Sequence, residues 1–450
     1  MKELLLTALL GIGILVLDIL NLKKYVLPFI LLALATLVCF IAADWGTVET
    51  PFGQTMLVYE NGANLALGVF AVVLFFWFIL SSSYFKQHEG KTDLYALVVF
   101  SFCGAGLLAS FGNMAMLFLG VEILSIPVYV LAASKKHDLA SNESGFKYFI
   151  LGSVASAILL FGITLVYGAT GSFDLAVISN FIQDGKDASI IMNVGITMIL
   201  VGFLFKISAA PFHIWTPDVY QGAPTWITAF MSTIVKAAAM VALFKLFTGP
   251  FQFYVEANGY TIGVIAAVTL IASNTAALWQ TDVKRMLAYS SISHAGFLLS
   301  TIIGNASLLS LLFYLLTYSI AGIIAFGVIK ETQTLEGNPL KGLYRRNGVL
   351  AFAFTAALLS MAGIPPFSGF IAKYFVIAQL IEAKYFALVV VMIITSAIGA
   401  FYYLRASLNV YQHIENAGRI VLTPLVKWTY ILLTALLVLL TVAAGYLHNL

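Results

Sequence analysis

The chain has 450 residues, 61% of them hydrophobic and only 10% charged, with a mean hydropathy of +0.99 and a formal net charge of +3. That composition excludes an ordinary soluble domain and describes an all-α polytopic membrane protein whose immediate surroundings are the lipid bilayer; no nucleic-acid partner is expected. Continuous apolar runs without outward-facing alternation also argue against an outer-membrane barrel.

In chain order, the first apolar stretch, residues 4–17, is followed by no small-residue cleavage site, and a second span starts near Tyr25, so it reads as a retained first helix. Runs of about 18 to 22 residues cross a ~30 Å hydrocarbon core. They fall near 4–20, 25–43, 64–82, 94–110, 113–133, 146–167, 191–213, 225–247, 260–279, 286–303, 307–329, 349–381, 385–408 and 425–447, about fourteen predicted helices. Alternate loops carry fifteen and three Lys or Arg residues, with Lys91 among the fifteen and Lys186 among the three. The basic side is cytoplasmic by the positive-inside rule, which puts both termini on the periplasmic side of a bacterial inner membrane.

Two predicted helices are too long and carry proline in mid-course. Residues 193–219 would span roughly 40 Å and are broken at AAPF around Pro211; residues 349–380 would span roughly 48 Å and are broken at AGIPPF around Pro365 and Pro366. Helices seven and twelve are therefore expected to be discontinuous, and a broken helix at membrane depth marks a transport site. Lys206 lies before the first break and Lys373 after the second, a relation that an inverted repeat would give. The expected division is helices one to three in 1–92, a five-helix repeat (helices four to eight) in 93–248, a second inverted repeat (helices nine to thirteen) in 249–411, and helix fourteen in 412–450.

Four ionisable groups sit near mid-span: Glu122 in GVEILSIP, Lys206 in GFLFKIS, Lys236 in STIVKAAA and Lys373 in GFIAKYF. A charge at the bilayer centre costs roughly 2.5 to 3.5 kcal/mol, so such groups survive where they face protein or water and carry protons or ions. Lys206 and Lys236 are each fifteen residues from Gln221 in the apparent turn TPDVYQGAPT, which places them at equal depth on antiparallel helices. Glu122 near a lysine favours its protonated form; a static buried ion pair is the competing reading. His294 in YSSISHAGF falls at mid-span as a proton relay, with Ser290, Ser291 and Ser293 to order water, or as a packed histidine. His213, just past a break, is an exit relay or a cap for freed backbone. Lys147 is a possible relay in competition with snorkelling, and Lys245 is expected to snorkel. Cys39 and Cys103 read as core residues; with no CxxC, His/Cys cluster or Gly-rich loop, neither a metal nor a redox cofactor is expected in this chain.

The stretches FKISAAPFHIWTPDVYQGAPT, KRMLAYSSISHAGF and MAGIPPFSGFIAKYF resemble the antiporter-like membrane subunits of respiratory complex I, the proton-pumping NADH-quinone oxidoreductase, over helices four to thirteen. The run after the WxPD and the lysine at 373 are most similar to the chain-N branch of that family. The resemblance implies that Glu122 and Lys206 form the charge pair of a first half-channel, that Lys236 is the central lysine and Lys373 the terminal one, and that His294 belongs to the polar axis between them. It also implies that FMN, iron-sulfur clusters and quinone reside in partner subunits, and that the partners include other membrane subunits of complex I. A subunit of a multi-subunit Na+(K+)/H+ antiporter is the alternative; Glu122 is the one central acid available for a cation.

Overall fold

A computed structural model describes residues 2–48, 50, 56–87, 92–183, 190–304, 306–332, 340–414 and 418–447. Lys91 and Lys186, counted above for orientation, lie outside the described residues. The elements are α1 (Lys2–Ile19), α2 (Val26–Ala43), α3 (Asn61–Gln87), α4 (Thr92–Ser110), α5 (Met114–Ala132), α6 (Leu139–Thr170), α7 (Leu175–Gln183), α8 (Ile190–Ile207), α9 (Trp215–Gly222) and α10 (Thr225–Phe230). A π-helical turn, Met231–Val235, joins α10 to α11 (Lys236–Thr248). Then come α12 (Gln252–Leu278), α13 (Val283–Ile303), α14 (Leu308–Thr332), α15 (Leu343–Arg346), α16 (Gly348–Ala362), α17 (Ser368–Glu382), α18 (Phe386–Val410) and α19 (Pro424–Leu447).

Helix starts follow capping chemistry. Side chains of Asn113, Asp138, Asp282 and Asn347 accept from the first free backbone N–H groups of α5, α6, α13 and α16, which fixes where each span begins. Among the described residues twelve helices are long and apolar enough to cross a bilayer, with α10, the π turn and α11 forming one of them, Thr225–Thr248. Two predicted spans fall short of that measure for local reasons. Lys2, Glu3 and Asp18 dilute α1, and α16 stops after 15 residues at the second break.

The helices sort by burial in a way composition alone does not reveal. The Thr225–Thr248 span is 100% buried inside the protein, and α13 and α14 nearly so, whereas the span at α2 and the one at α19 are each 33% buried. A helix apolar on every side and wholly enclosed can place a charge inward at no contact with lipid. Lys236 and His294 sit on two of these enclosed helices. Close approach elsewhere uses glycine: a Cβ on Gly162 would stand 2.7 Å from the Gly195 carbonyl oxygen, so α6 and α8 meet backbone to backbone.

Helices pack in one pattern twice. The pairs α4–α5, α6–α8, α6–α9, α4–α11 and α8–α11 recur as α12–α13, α14–α16, α14–α17, α12–α18 and α16–α18.

Candidate functional site

Both expected breaks are present. The first half-helix, α8, ends at Ile207, and Ser208 adopts a left-handed backbone (φ 65°) before α9 resumes at Trp215. The second ends at Ala362, with Gly363 left-handed (φ 82°) and α17 resuming at Ser368. Gly363 is doubly required, because a Cβ there would also lie 3.0 Å from Cδ of Lys373. The hydroxyls of Ser208, in the first break, and Ser368, the residue at which α17 resumes after the second, are fully buried and have no hydrogen-bond partner within the protein. Such groups are ordinarily satisfied by internal water.

At the first break Lys206 is the penultimate residue of α8 and 5% exposed. Its Nζ donates to Ser125 Oγ (2.8 Å) and Tyr129 Oη (3.1 Å) of α5 and lies 5.6 Å from the Tyr129 ring centroid. Glu122 is one turn from Ser125 on the same helix, half-buried, with Oε1 enclosed and unpartnered. No ion pair joins Glu122 to Lys206 among the described residues. Helical periodicity explains this: Glu122 stands at the boundary of the exposed stripe Ala115, Leu119, Ile126 and Val130, while Ser125 and Tyr129 face inward. The implied charge pair is thus an ammonium on two hydroxyls, with a carboxylate one turn away.

Lys236, 1% exposed, opens α11 directly after the π turn, whose extra residue per turn redirects the side chain that follows. Its Nζ donates to Ser291 O (2.8 Å) and Ser291 Oγ (2.5 Å) of α13. Three residues on, His294 Nδ1 is 2.8 Å from Tyr314 Oη and Nε2 is 3.4 Å from Tyr403 Oη. Tyr403 is hydrogen-bonded in turn to Ser290. A further three residues on, Phe297 presents its ring 5.0 Å from Nζ of Lys373, which donates to Ala362 O (3.0 Å) across the second break. One helix therefore carries the contact points of Lys236, His294 and Lys373 at successive steps of about 4.5 Å along its axis. Beside His294 is a cavity of ≈ 10 Å³ reaching Thr317, Ser360 and Gly369, enough for about one water. The Thr317 hydroxyl in its wall has no partner.

Several sequence expectations are corrected. Gln221 lies inside α9, not in a turn, so counting fifteen residues each way does not set a common depth for Lys206 and Lys236. The Pro, Asp and Gly of WTPDVYQG resemble turn chemistry but here begin and end a short helix. His213 does not cap the freed backbone: its Nδ1 is buried without a partner. Lys147 is 39% exposed and paired to Glu143 (2.7 Å) and Asp218 (3.1 Å). Lys245 does not snorkel; its Nζ is enclosed, unpartnered, and 5.0 Å from the Phe111 ring. The sequence reading missed Ser125, Tyr129, Tyr314, Tyr403, Asp218 and Arg285. A phenol pair at mid-span, as in GAFYYLRA, is the signal that points to Tyr403.

Buried lysines on serine, tyrosine and carbonyl oxygens, flanking two broken helices in an enclosed membrane bundle, define a membrane protein of the antiporter-like, ion-translocating class. A family profile described as NADH:quinone oxidoreductase/Mrp antiporter, TM, matches residues 112–399. NADH-quinone oxidoreductase subunit N of Cytophaga hutchinsonii is 42% identical over 420 residues, covering 92% of this chain and 91% of that one. A chain in the structure of respiratory complex I from Thermus thermophilus with bound aureothin is 32% identical, with a TM-score of 0.85 over 98% of this chain and 97% of that chain. One in the Mrp complex from Dietzia sp. DQ12-45-1b reaches a TM-score of 0.85 over 99% and 96% of the two chains at 21% identity, a likeness of fold alone. The chain belongs to the NADH:quinone oxidoreductase/Mrp antiporter transmembrane family.

Proposed function

We propose that the chain is an N-type, proton-translocating membrane subunit of NADH-quinone oxidoreductase, in a bacterial plasma membrane, with other membrane subunits of the complex as partners. Electron transfer from NADH to quinone, and the flavin and iron-sulfur clusters it uses, belong to partner subunits. The observation that carries the reading is the α13 row: Ser291 under Lys236, His294 between two tyrosine hydroxyls, and Phe297 under Lys373. Lys206, Lys236, His294 and Lys373 hold and pass the proton, with Glu122 one turn along α5 from Ser125, an acceptor of Lys206. His213 and Lys147 stand outside this row, Lys147 as a member of a surface ion network.

Fourteen crossings follow when α1 and the α16–α17 pair are counted with the twelve long spans, and both termini then face the periplasm. The repeated packing pattern supports the division at 92, 248 and 411 into two five-helix units of opposite orientation, since five is odd. Each break then opens toward one side. Moving a proton's charge against 100 mV requires about 2.3 kcal/mol, the scale of one charge-assisted hydrogen bond made or lost.

The test is Lys236→Ala in the intact complex, in inverted membrane vesicles. Expected are normal assembly and a more than tenfold loss of NADH-driven lumen acidification; wild-type acidification would overturn the reading.

A further inference from the structure

The two oxygens that receive Lys206 are not equivalent. Ser125 Oγ accepts from Nζ at 2.8 Å while its own hydroxyl donates to the Val121 carbonyl (2.6 Å), one turn back along α5. Its one proton is committed, so toward the lysine it only accepts. The Tyr129 hydroxyl accepts from the same Nζ at 3.1 Å, and its own proton has no acceptor among the described residues. The difference matters once the amine is neutral. A neutral amine still donates to Ser125 but gains a lone pair, which is costly to leave buried without a donor. Rotation about its C–O bond turns the Tyr129 proton onto Nζ with no heavy atom moved.

Such a reversal needs the phenol to stay in one place, and α6 supplies the place. Tyr148 meets the Tyr129 ring edge to face at 4.7 Å and 88°, and Phe149 does so at 5.9 Å and 74°. One turn after Tyr148, Gly152 bounds the hydroxyl end. A Cβ at Gly152 would fall on Tyr129 Oη, with Cζ 2.7 Å and Cε1 2.9 Å away, so all three nearest atoms belong to that one side chain. Gly145, two turns earlier on the same face, serves a different end. A Cβ there would meet Ala133 Cβ at 2.5 Å and the Ala133 backbone nitrogen at 3.0 Å, so that glycine lets α6 approach the end of α5. Gly152 instead leaves a notch for one phenol.

We propose that Tyr129 is the reversible partner of Lys206, accepting from the ammonium and donating to the neutral amine, and that the notch at Gly152 fixes its hydroxyl where both states need it. Gly152 is a positioning residue that acts through Tyr129. The inference rests on the reading of Lys206 as a proton-carrying group. Ser125 anchors Nζ in either state, and the hydrogen on Tyr129 is the part that moves.

The test uses the intact complex in inverted vesicles, with acidification and NADH oxidation measured together across pH for Tyr129→Phe, Gly152→Ala, the Phe/Ala double variant and Gly168→Ala. Gly168 is the control, a glycine of the same helix with nothing within 4 Å of its Cβ position. Each of Tyr129→Phe and Gly152→Ala is expected to lower acidification per NADH about three- to tenfold, the worth of one hydrogen bond, with Gly168→Ala near wild type. Both are also expected to move its pH profile, since each changes the balance between charged and neutral amine; a merely loosened bundle lowers the maximum and leaves the profile in place. The double variant is expected to be no worse than Tyr129→Phe, because the alanine then displaces a ring that carries no hydrogen bond. Normal acidification with Tyr129→Phe, an unmoved profile, losses that multiply, or a Gly168→Ala as impaired as Gly152→Ala overturns the proposal. Tyr129→Phe alone decides if Gly152→Ala fails to assemble, since it removes one oxygen and keeps the ring. Lys206→Ala separates the two readings: inactive Lys206→Ala with normal Tyr129→Phe sinks only the reversible partner, while active Lys206→Ala sinks the proton-carrying role beneath it.

Discussion

Replacing Gly363 by Ala tests the second break at the point where backbone and lysine meet. At φ 82° an alanine pays about 1–2 kcal/mol for the left-handed backbone. Its Cβ would also stand 3.0 Å from Cδ of Lys373, inside van der Waals contact, so the lysine must yield and its 3.0 Å hydrogen bond to Ala362 O stretches. A hydrogen bond from a charged donor is worth about 1.5–3 kcal/mol, and losing part of it brings the local cost to roughly 2–4 kcal/mol. Gly171→Ala provides the comparison, because that glycine has φ 73° and open space where its Cβ would go. The backbone cost is then shared by both variants, and the lysine contact belongs to one. In inverted vesicles Gly363→Ala is expected to cut NADH-driven acidification at least fivefold with the complex still assembled, whereas Gly171→Ala keeps it near wild type. Equal acidification in the two variants, whether both intact or both lost, would refute the argument that Gly363 serves Lys373.

On the proposed reading Lys206 and Lys236 act in series, so Lys206→Ala is expected to assemble and to lose most acidification, as is expected of Lys236→Ala; a variant pumping normally would remove Lys206 from the path. Lys245→Met should assemble and pump within about twofold of wild type: it lies nine residues from Lys236 on a continuous helix, hence on the opposite face, against Phe111. Ser208→Ala and Ser368→Ala remove hydroxyls with no protein partner, so extraction yield and thermal resistance of the complex should hold while acidification falls several-fold if those hydroxyls carry water. For Asp218, burial raises the carboxyl's affinity for its proton but Arg285 and Lys147 outweigh it, so its pKa is held below the ordinary 3.8. A depressed carboxylate contributes its stabilisation above 3.8 and loses it as pH falls through the lower, folded-state value. The contribution of Asp218's ion pairs with Lys147 and Arg285 should therefore be flat from pH 5 to 8, checked by an infrared carboxyl band that is absent in Asp218→Asn and appears only below that range.

Much of the fold was legible because membrane helices announce themselves by length. Predicted spans and observed helices agree closely, and the two breaks fall at the prolines that named them. The lysines were legible for the same reason, since a charge inside an apolar run is conspicuous. Their partners were not. Ser125 and Tyr129 are polar groups that fit any apolar helix, and the phase that aims them at Lys206, with Glu122 left at the edge, depends on how α5 is rotated by packing. The π turn before Lys236 leaves no trace in MSTIV. Lys245 looked like a snorkelling residue because it sits near a helix end, but Phe111 comes from a distant loop to cover it. In α9 the misreading was chemical: proline at a first turn and glycine at the end serve a short helix as readily as a loop.

What the three lysines share is the kind of atom that receives them. Lys206 rests on two hydroxyls, Lys236 on a hydroxyl and a carbonyl, Lys373 on a carbonyl; none is ion-paired to a carboxylate among the described residues. The distinction decides what a buried amine can do. A carboxylate in contact would bind the charged form so strongly that breaking the pair costs about 3–5 kcal/mol. Neutral acceptors offer about 1–3 kcal/mol, which is the size of the work done on one charge by 100 mV. A hydroxyl has a second property that a carboxylate lacks, since it donates as well as accepts and can turn toward a neutral amine after the proton has left. On the proposed reading, Ser291 and Tyr129 serve both protonation states, and a shift of one hydrogen bond is enough to change which state is favoured.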